Sequence, residues 1–149
     1  MDEETSTRVA SRIEKSKKPE YIAAIVVNVI ILIIVNQILN WGILPFLTED
    51  FRQVLPIQNT QLAMAIAFNA AFLFYDPAWF TSLLRLVLNA VGIAVVTRYL
   101  AVFPFDFSEY AGFDWALLAR VMLIIGLVFT IIAVIVEAGK FLAALMRRR

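Results

Sequence analysis

The sequence contains neither cysteine nor histidine. This excludes disulfide bonds, thiolate chemistry, iron–sulfur clusters, histidine-ligated haem and the usual zinc sites, because all of them need sulfur or imidazole groups. A carboxylate site for a hard cation is the metal chemistry that the remaining side chains can supply. We therefore expect no cofactor and no resident metal.

Charged residues are also scarce, at 17% of the chain, whereas apolar residues make up 62%. A soluble domain is about 25% charged and about 45 to 50% apolar. The difference indicates an integral membrane protein. The net charge is +1, and the basic residues concentrate at the two termini rather than along one face. Nucleic acid is therefore not expected as a partner.

The sequence instead contains long runs of apolar residues. The first, residues 21–47, continues for twenty-seven residues without a charged side chain. A helix needs roughly twenty apolar residues to cross a bilayer. Three more runs follow, so the sequence predicts an all-α integral membrane protein, a four-transmembrane-helix up-down bundle. The predicted spans are about residues 19–44, 57–75, 77–102 and 115–136, in a transmembrane domain of residues 19–149 with a basic end, after a charged cytoplasmic tail of residues 1–18.

Prolines and capping residues mark the predicted helix starts. Pro19 suits the first turn of a helix, where its missing N–H costs nothing. Asp76 followed by Pro77 predicts that a carboxylate caps the third helix, and Asp114 is expected to cap the fourth. The second span is the weakest, because residues 57–61 are polar enough to lie among lipid headgroups.

Basic residues near the spans predict the orientation. With the amino terminus in the cytoplasm, ten lysines and arginines lie on the inner side and three on the outer side. Positive charge concentrates in cytoplasmic loops, and four spans return the chain to the side on which it began. We therefore expect a multi-pass protein of the cell membrane with both termini inside.

An internal repeat is suggested when the chain is compared with itself. An offset of about sixty residues aligns one set of positions, Val26, Asn28, Val35, Leu39, Pro45 and Phe46, with another, Val87, Asn89, Val96, Leu100, Pro104 and Phe105. Two duplicated helical hairpins would explain this match, with an axis along the membrane normal. Chance similarity between apolar runs is the alternative explanation.

Asparagines are the main polar residues inside the predicted spans. They form a polar intramembrane stripe of Asn28, Asn36 and Asn40 on the first helix, with Asn69 and Asn89 on the next two. In hydrocarbon an amide needs a partner, and the usual solution is a hydrogen bond to a neighbouring helix. The functional alternative is a polar path or pocket for an ion, water, a small solute or a lipid headgroup.

Charged residues near the spans suggest three further groups. A possible outer acidic cluster consists of Glu49, Asp50, Asp106, Glu109 and Asp114. Possible charge pairs join Asp76 to Arg85, and the outer acids to Arg98 and Arg120. Glu137 and Lys140, three residues apart, are expected to form a surface pair. Anchoring at the headgroups is the simpler explanation of the arginines, and the acids match no known metal-binding loop.

Small residues repeat every four positions, at Ala63, Ala67 and Ala71 on the second helix and at Ala90 and Ala94 on the third. Such stripes let helix backbones approach closely. With no catalytic motif, the sequence favours a non-enzymatic membrane subunit, scaffold or assembly module in a homo-oligomer or with other membrane subunits. The alternative is a small oligomeric channel or transporter with an asparagine-lined path. A lipid-directed enzyme would have to use carboxylates alone.

Overall fold

A computed structural model describes residues 17–147. This part of the chain forms helices α1 (Lys17–Trp41), α2 (Leu55–Phe74), α3 (Ala78–Val102) and α4 (Trp115–Met146), with one 3₁₀ turn at Glu49–Gln53. No strand occurs within it. The predicted tail of residues 1–18 lies outside the described residues, except for Lys17 and Lys18, which begin α1.

Three of the helices, α1, α3 and α4, are each long and apolar enough to cross a membrane. The first turns of α2 are more polar, because they contain Gln58, Asn59 and Gln61. The all-helical prediction is therefore confirmed, and the chain has the composition of a helical membrane protein.

The helices pack as two hairpins. Helix α1 packs along α2, helix α3 packs along α4, and a smaller contact between α2 and α3 joins the pairs. Chain direction alternates from helix to helix. One end, which we call the terminal end, contains the start of α1, the connection between α2 and α3, and the end of α4. The opposite end, the bridged end, contains residues 42–54 and 103–114.

The bridged end takes its name from an antiparallel backbone bridge between Leu47 and Phe105. The N–H of Thr48 donates to the carbonyl of Pro104 at 3.0 Å, and the N–H of Asp106 donates to the carbonyl of Phe46 at 2.8 Å. The rings of Phe46, Phe51, Tyr99, Phe105, Phe107 and Tyr110 contact one another around it. The two connections therefore hold the hairpins together at this end.

This bridge bears on the internal repeat. It pairs Leu47 with Phe105, whereas the repeat aligns Phe46 with Phe105. The residue pairing in the bridge and the pairing in the sequence alignment therefore differ by one residue. The two Pro-Phe segments are spatial neighbours, but duplication stays a prediction.

Helix boundaries and caps match the prediction in part. Helix α1 ends at Trp41, because Gly42 adopts a left-handed φ of 61°. The predicted cap by Asp76 is wrong: Pro77 itself is the N-cap residue, with extended backbone, and no side chain caps α3. The predicted cap by Asp114 is confirmed, since its carboxylate accepts a 2.8 Å hydrogen bond from the N–H of Leu117. Helix α4 continues past its predicted span of 115–136 through Gly139 to Met146, in line with an expected helical extension toward the terminal arginines.

Helix α3 packs against both α2 and α4, and at Gly92 side chains of both neighbours come near. A Cβ atom at this position would lie 2.9 Å from Nε2 of Gln61 and 3.4 Å from Cγ2 of Thr130. Gly92 is itself buried. A side chain here would therefore press on both neighbouring helices.

Candidate functional site

A cleft of about 690 Å³ opens at the terminal end. Its walls come from the first turn of α1, the start of α3 with the preceding connection, and the last turns of α4. Charged side chains line it, among them Lys17, Glu20, Asp76, Arg85, Lys140 and Arg147. Since α1 and α4 do not pack along their lengths, the cleft lies where the two hairpins diverge.

One wall of the cleft carries a buried carboxylate. Glu137 is 8% exposed, and its carboxylate accepts a 2.8 Å hydrogen bond from the ammonium group of Lys140. The Lys140 side chain remains 55% exposed, whereas that of Glu137 is 10% exposed. The expected pair is therefore present, but its acidic partner is buried.

The opposite wall is supported by two aromatic rings that pack at a tilt of 53°. Tyr21 is 5% exposed, and its ring centre lies 5.4 Å from that of Phe72. The guanidinium carbon of Arg85 lies 6.0 Å from the Phe72 ring centre, within reach of a cation–π attraction. Arg85 is thus held at the cleft by an aromatic ring, one turn after the buried Ser82.

The predicted charge pair of Asp76 and Arg85 has both members at this cleft. Each acts electrostatically on Tyr21. Within the described residues no ion pair of 4.0 Å or less joins them. The cleft therefore holds two opposite charges around one phenol group without direct pairing.

At the bridged end, three of the predicted outer acids contact residues that are close to them in the chain. Glu49 pairs with Arg52, Asp50 accepts from Nε2 of Gln53 at 2.9 Å, and Asp114 caps α4. Glu109 is exposed. No group of three acids suited to a metal ion occurs between residues 17 and 147. The outer acidic cluster stays a prediction without a shared site.

Asp106, another member of that cluster, is held by its own turn. Its carboxylate accepts a 2.9 Å hydrogen bond from the N–H of Ser108. This backbone hydrogen bond, together with one from the Ser108 side chain, lowers the pKa of Asp106 below its ordinary value, because both stabilise the ionised form.

The two outer arginines have neighbours other than the predicted acids. Nε of Arg98 donates to the carbonyl of Gln53 at 3.4 Å. The guanidinium carbon of Arg120 lies 4.0 Å from the centre of the Phe103 ring. Both side chains therefore contact the connections of the bridged end, but through a backbone carbonyl and an aromatic ring rather than through carboxylates.

The predicted asparagine stripe separates into local contacts. Asn28 and Asn69 each donate at 2.7 Å to a carbonyl of their own helix. Asn40 donates to the side chain of Gln37 at 3.1 Å. Asn89 is half-buried on α3, and the described residues include no hydrogen-bond partner for its side chain. These four amides therefore form no hydrogen-bonded chain with one another.

Asn36 instead pairs across the first hairpin. Its amide donates to Oδ1 of Asn59 at 2.8 Å and accepts from Nδ2 of Asn59 at 2.9 Å. It also donates to the carbonyl of Leu32 at 2.7 Å. Asn59, which lies in the polar first turns of α2, was not predicted as its partner.

Three helices that are long and apolar enough to span a membrane place this chain in the class of small helical membrane proteins. Comparison with known protein families, with curated proteins and with solved structures yields no match.

Sequence reasoning did not find the cleft as a unit. It singled out Asp76, Arg85 and the Glu137–Lys140 pair separately, but not Tyr21 or Phe72. Their spacing carries no signal, since the walls come from segments that are more than fifty residues apart in the chain.

Proposed function

We propose that this chain is a four-span membrane subunit that assembles with further membrane-embedded helices, either other copies of itself or other subunits. The contacting surface is the outward face of α2 and α3, which we call the alanine face. The observation that carries the proposal is that Ala63, Ala67, Ala90 and Ala94 are all exposed.

The alanine face differs from the rest of the apolar surface. Many large apolar side chains are exposed on α1 and α4, including Ile33, Phe129 and Ile135. On α2 and α3, by contrast, the exposed large apolar residues are Phe74, at the end of α2, and Val87. Large aliphatic groups suit contact with lipid chains, whereas small ones allow a second helix to approach closely. The contrast supports lipid contact for α1 and α4 and helix contact for α2 and α3.

In this proposal α2 is the fourth span. Its polar first turns lie at the outer headgroups, and its apolar part returns the chain to the cytoplasmic side. The terminal end then faces the cytoplasm, as the excess of basic residues near it favours.

Photo-crosslinking tests the proposal, because the chain has no cysteine of its own. Single variants Ala67→Cys, Ala94→Cys and Val128→Cys are labelled with benzophenone maleimide in membranes. Val128 is the matched control, since it is 50% exposed on α4. We expect protein adducts from the two alanine positions and only lipid adducts from Val128. Adducts no more abundant at the alanines than at Val128 would contradict the proposal.

An oligomeric channel is the second candidate function. Asn36 and Asn40 are both exposed and lie one turn apart on α1, so a neighbouring subunit on that side would enclose them. Flux of protons or small ions in liposomes, lost in Asn36→Leu, would support this alternative. Vesicles that stay impermeable would count against it.

A further inference from the structure

The cleft at the terminal end is lined by charges of both signs, including Arg85 on α3 and Asp76 just before it. Arg85 and Asp76 both act on the Tyr21 phenol, yet the structure pairs neither with an opposite charge within the described range. Lys140 differs, because Glu137 already neutralises it. A ligand that carries a negative and a positive group would pair with Arg85 and with Asp76, whose carboxylate also accepts from the Tyr21 phenol.

The cation side of the cleft is also preorganised. Arg85 lies against the face of Phe72, and Phe72 packs against the buried Tyr21. Phe72 itself is 4% exposed, so this support is fixed by the packing of α1 and α2. An arginine that is already positioned loses less conformational freedom when it binds a phosphate.

We propose that the cleft binds the phosphoethanolamine headgroup of a bilayer lipid, with its phosphate at Arg85 and its ammonium group at Asp76. This rests on the proposed placement of the terminal end at a membrane surface, and it is independent of the alanine face. Guanidinium groups bind phosphate through paired hydrogen bonds, and a carboxylate is the natural partner of a primary ammonium.

The position of the cleft explains why the ligand is a lipid. The cleft lies at the ends of apolar helices, between α1 and α4, which do not pack along each other. Large apolar side chains are exposed beside its charged residues, with Ile22 on α1 and Leu142 on α4. Acyl chains can therefore leave the cleft along apolar surface. A bare anion would pair with Arg85 but would leave Asp76 without a cationic ligand group.

Tryptophan fluorescence provides the test. Trp79 lines the cleft, whereas Trp41 and Trp115 lie at the opposite ends of their helices. The variant Trp41→Phe/Trp115→Phe, purified in a mild detergent, therefore reports on the cleft. It is titrated with short-chain phosphatidylethanolamine and phosphatidylglycerol. We expect the ethanolamine lipid to bind at least tenfold more tightly.

Substitutions in this background assign each half of the headgroup. Arg85→Gln should weaken both lipids about tenfold, while Arg85→Lys, which keeps the charge, should retain most of the binding and controls for folding. Asp76→Asn should weaken the ethanolamine lipid alone and so abolish the preference. Arg98→Gln, on the same helix but at the bridged end, is the matched control and should change neither affinity.

Three results would overturn the proposal. One is equal binding of the two lipids, and another is unchanged binding in Arg85→Gln. The third is competition by glycerophosphoethanolamine or inorganic phosphate at the affinity of the lipid, which would assign the cleft to a soluble phosphate compound. Loss of crosslinking at the alanine face would leave all of these measurements unaffected.

Discussion

The guanidinium of Arg120, on α4, lies over the ring of Phe103, the residue that ends α3. Phe103 adopts a left-handed conformation, with φ of 43°, which is uncommon for a residue other than glycine. Its ring faces the arginine in this conformation, so a charge on one helix secures the strained end of the other. The contact lies within the second hairpin, next to the bridged end.

Removal of this contact should be measurable. We expect Arg120→Gln to lower the free energy of unfolding by about 0.5–2 kcal/mol, the range of a cation–π contact. The same substitution in a Phe103→Leu background should cost less, because the ring is already absent. Unfolding in mixed detergent micelles measures both values. Arg52→Gln, at an exposed local pair, is the control, and equal losses in both backgrounds would contradict the prediction.

The Asn36–Asn59 pair predicts coupling between α1 and α2. Asn36→Leu and Asn59→Leu should each destabilise the first hairpin, and the double variant should show a coupling energy of about 0.6–1.7 kcal/mol. The physical reason is that either substitution breaks the same two hydrogen bonds. A parallel cycle of Asn28→Leu with Asn59→Leu should show no coupling, since Asn28 bonds to its own helix. Coupling in both cycles would contradict this prediction.

The Glu137–Lys140 pair predicts an asymmetry between its two partners. Lys140→Met should cost about 1–3 kcal/mol, because it leaves a buried carboxylate without its partner. Glu137→Gln should cost under about 1 kcal/mol, because the exposed ammonium of Lys140 can turn to water. Unfolding of the two variants under identical conditions compares these costs. A larger loss for Glu137→Gln would show that the pair does not stabilise the cleft wall in this way.

Gly92 predicts a dependence on side-chain size. Gly92→Ala should be tolerated, because the nearest atom is the flexible amide of Gln61. Gly92→Val should cost about 1–3 kcal/mol, since its further methyl groups crowd α2 and α4. Thermal unfolding followed by circular dichroism measures the difference. Gly126→Val is the control, because the space around Gly126 is open; an equal loss there would point to helix propensity instead.

The sequence was most informative about elements whose signal is local. The charge-free run predicted α1, and the carboxylate of Asp114 predicted the start of α4. The predicted cap by Asp76 was wrong, because Pro77 itself takes the N-cap position with extended backbone and the carboxylate makes no capping hydrogen bond. The exposure of the alanines could not be predicted from their spacing, since a stripe of small residues can contact helices of the same chain or of another chain.

The candidate site was less accessible to prediction, because it depends on distances between segments far apart in the chain. Asp76 and Arg85 were predicted to pair with each other, but both instead act on Tyr21, which comes from another helix. The partner of Asn36 was missed for the same reason. Residue type indicates what a side chain can bind, whereas packing decides which partner is near enough.

The most completely buried side chains of the described chain, Val54 and Pro104, lie outside the four main helices, in the two connections at the bridged end. The most complete burial in the described chain therefore lies at the bridged end rather than midway along the helices. A force that pulls the two termini apart would therefore separate the helices at the terminal end first and the bridged end last. Under such a load, the amides of Thr48 and Asp106 should be among the last to exchange their hydrogens with water.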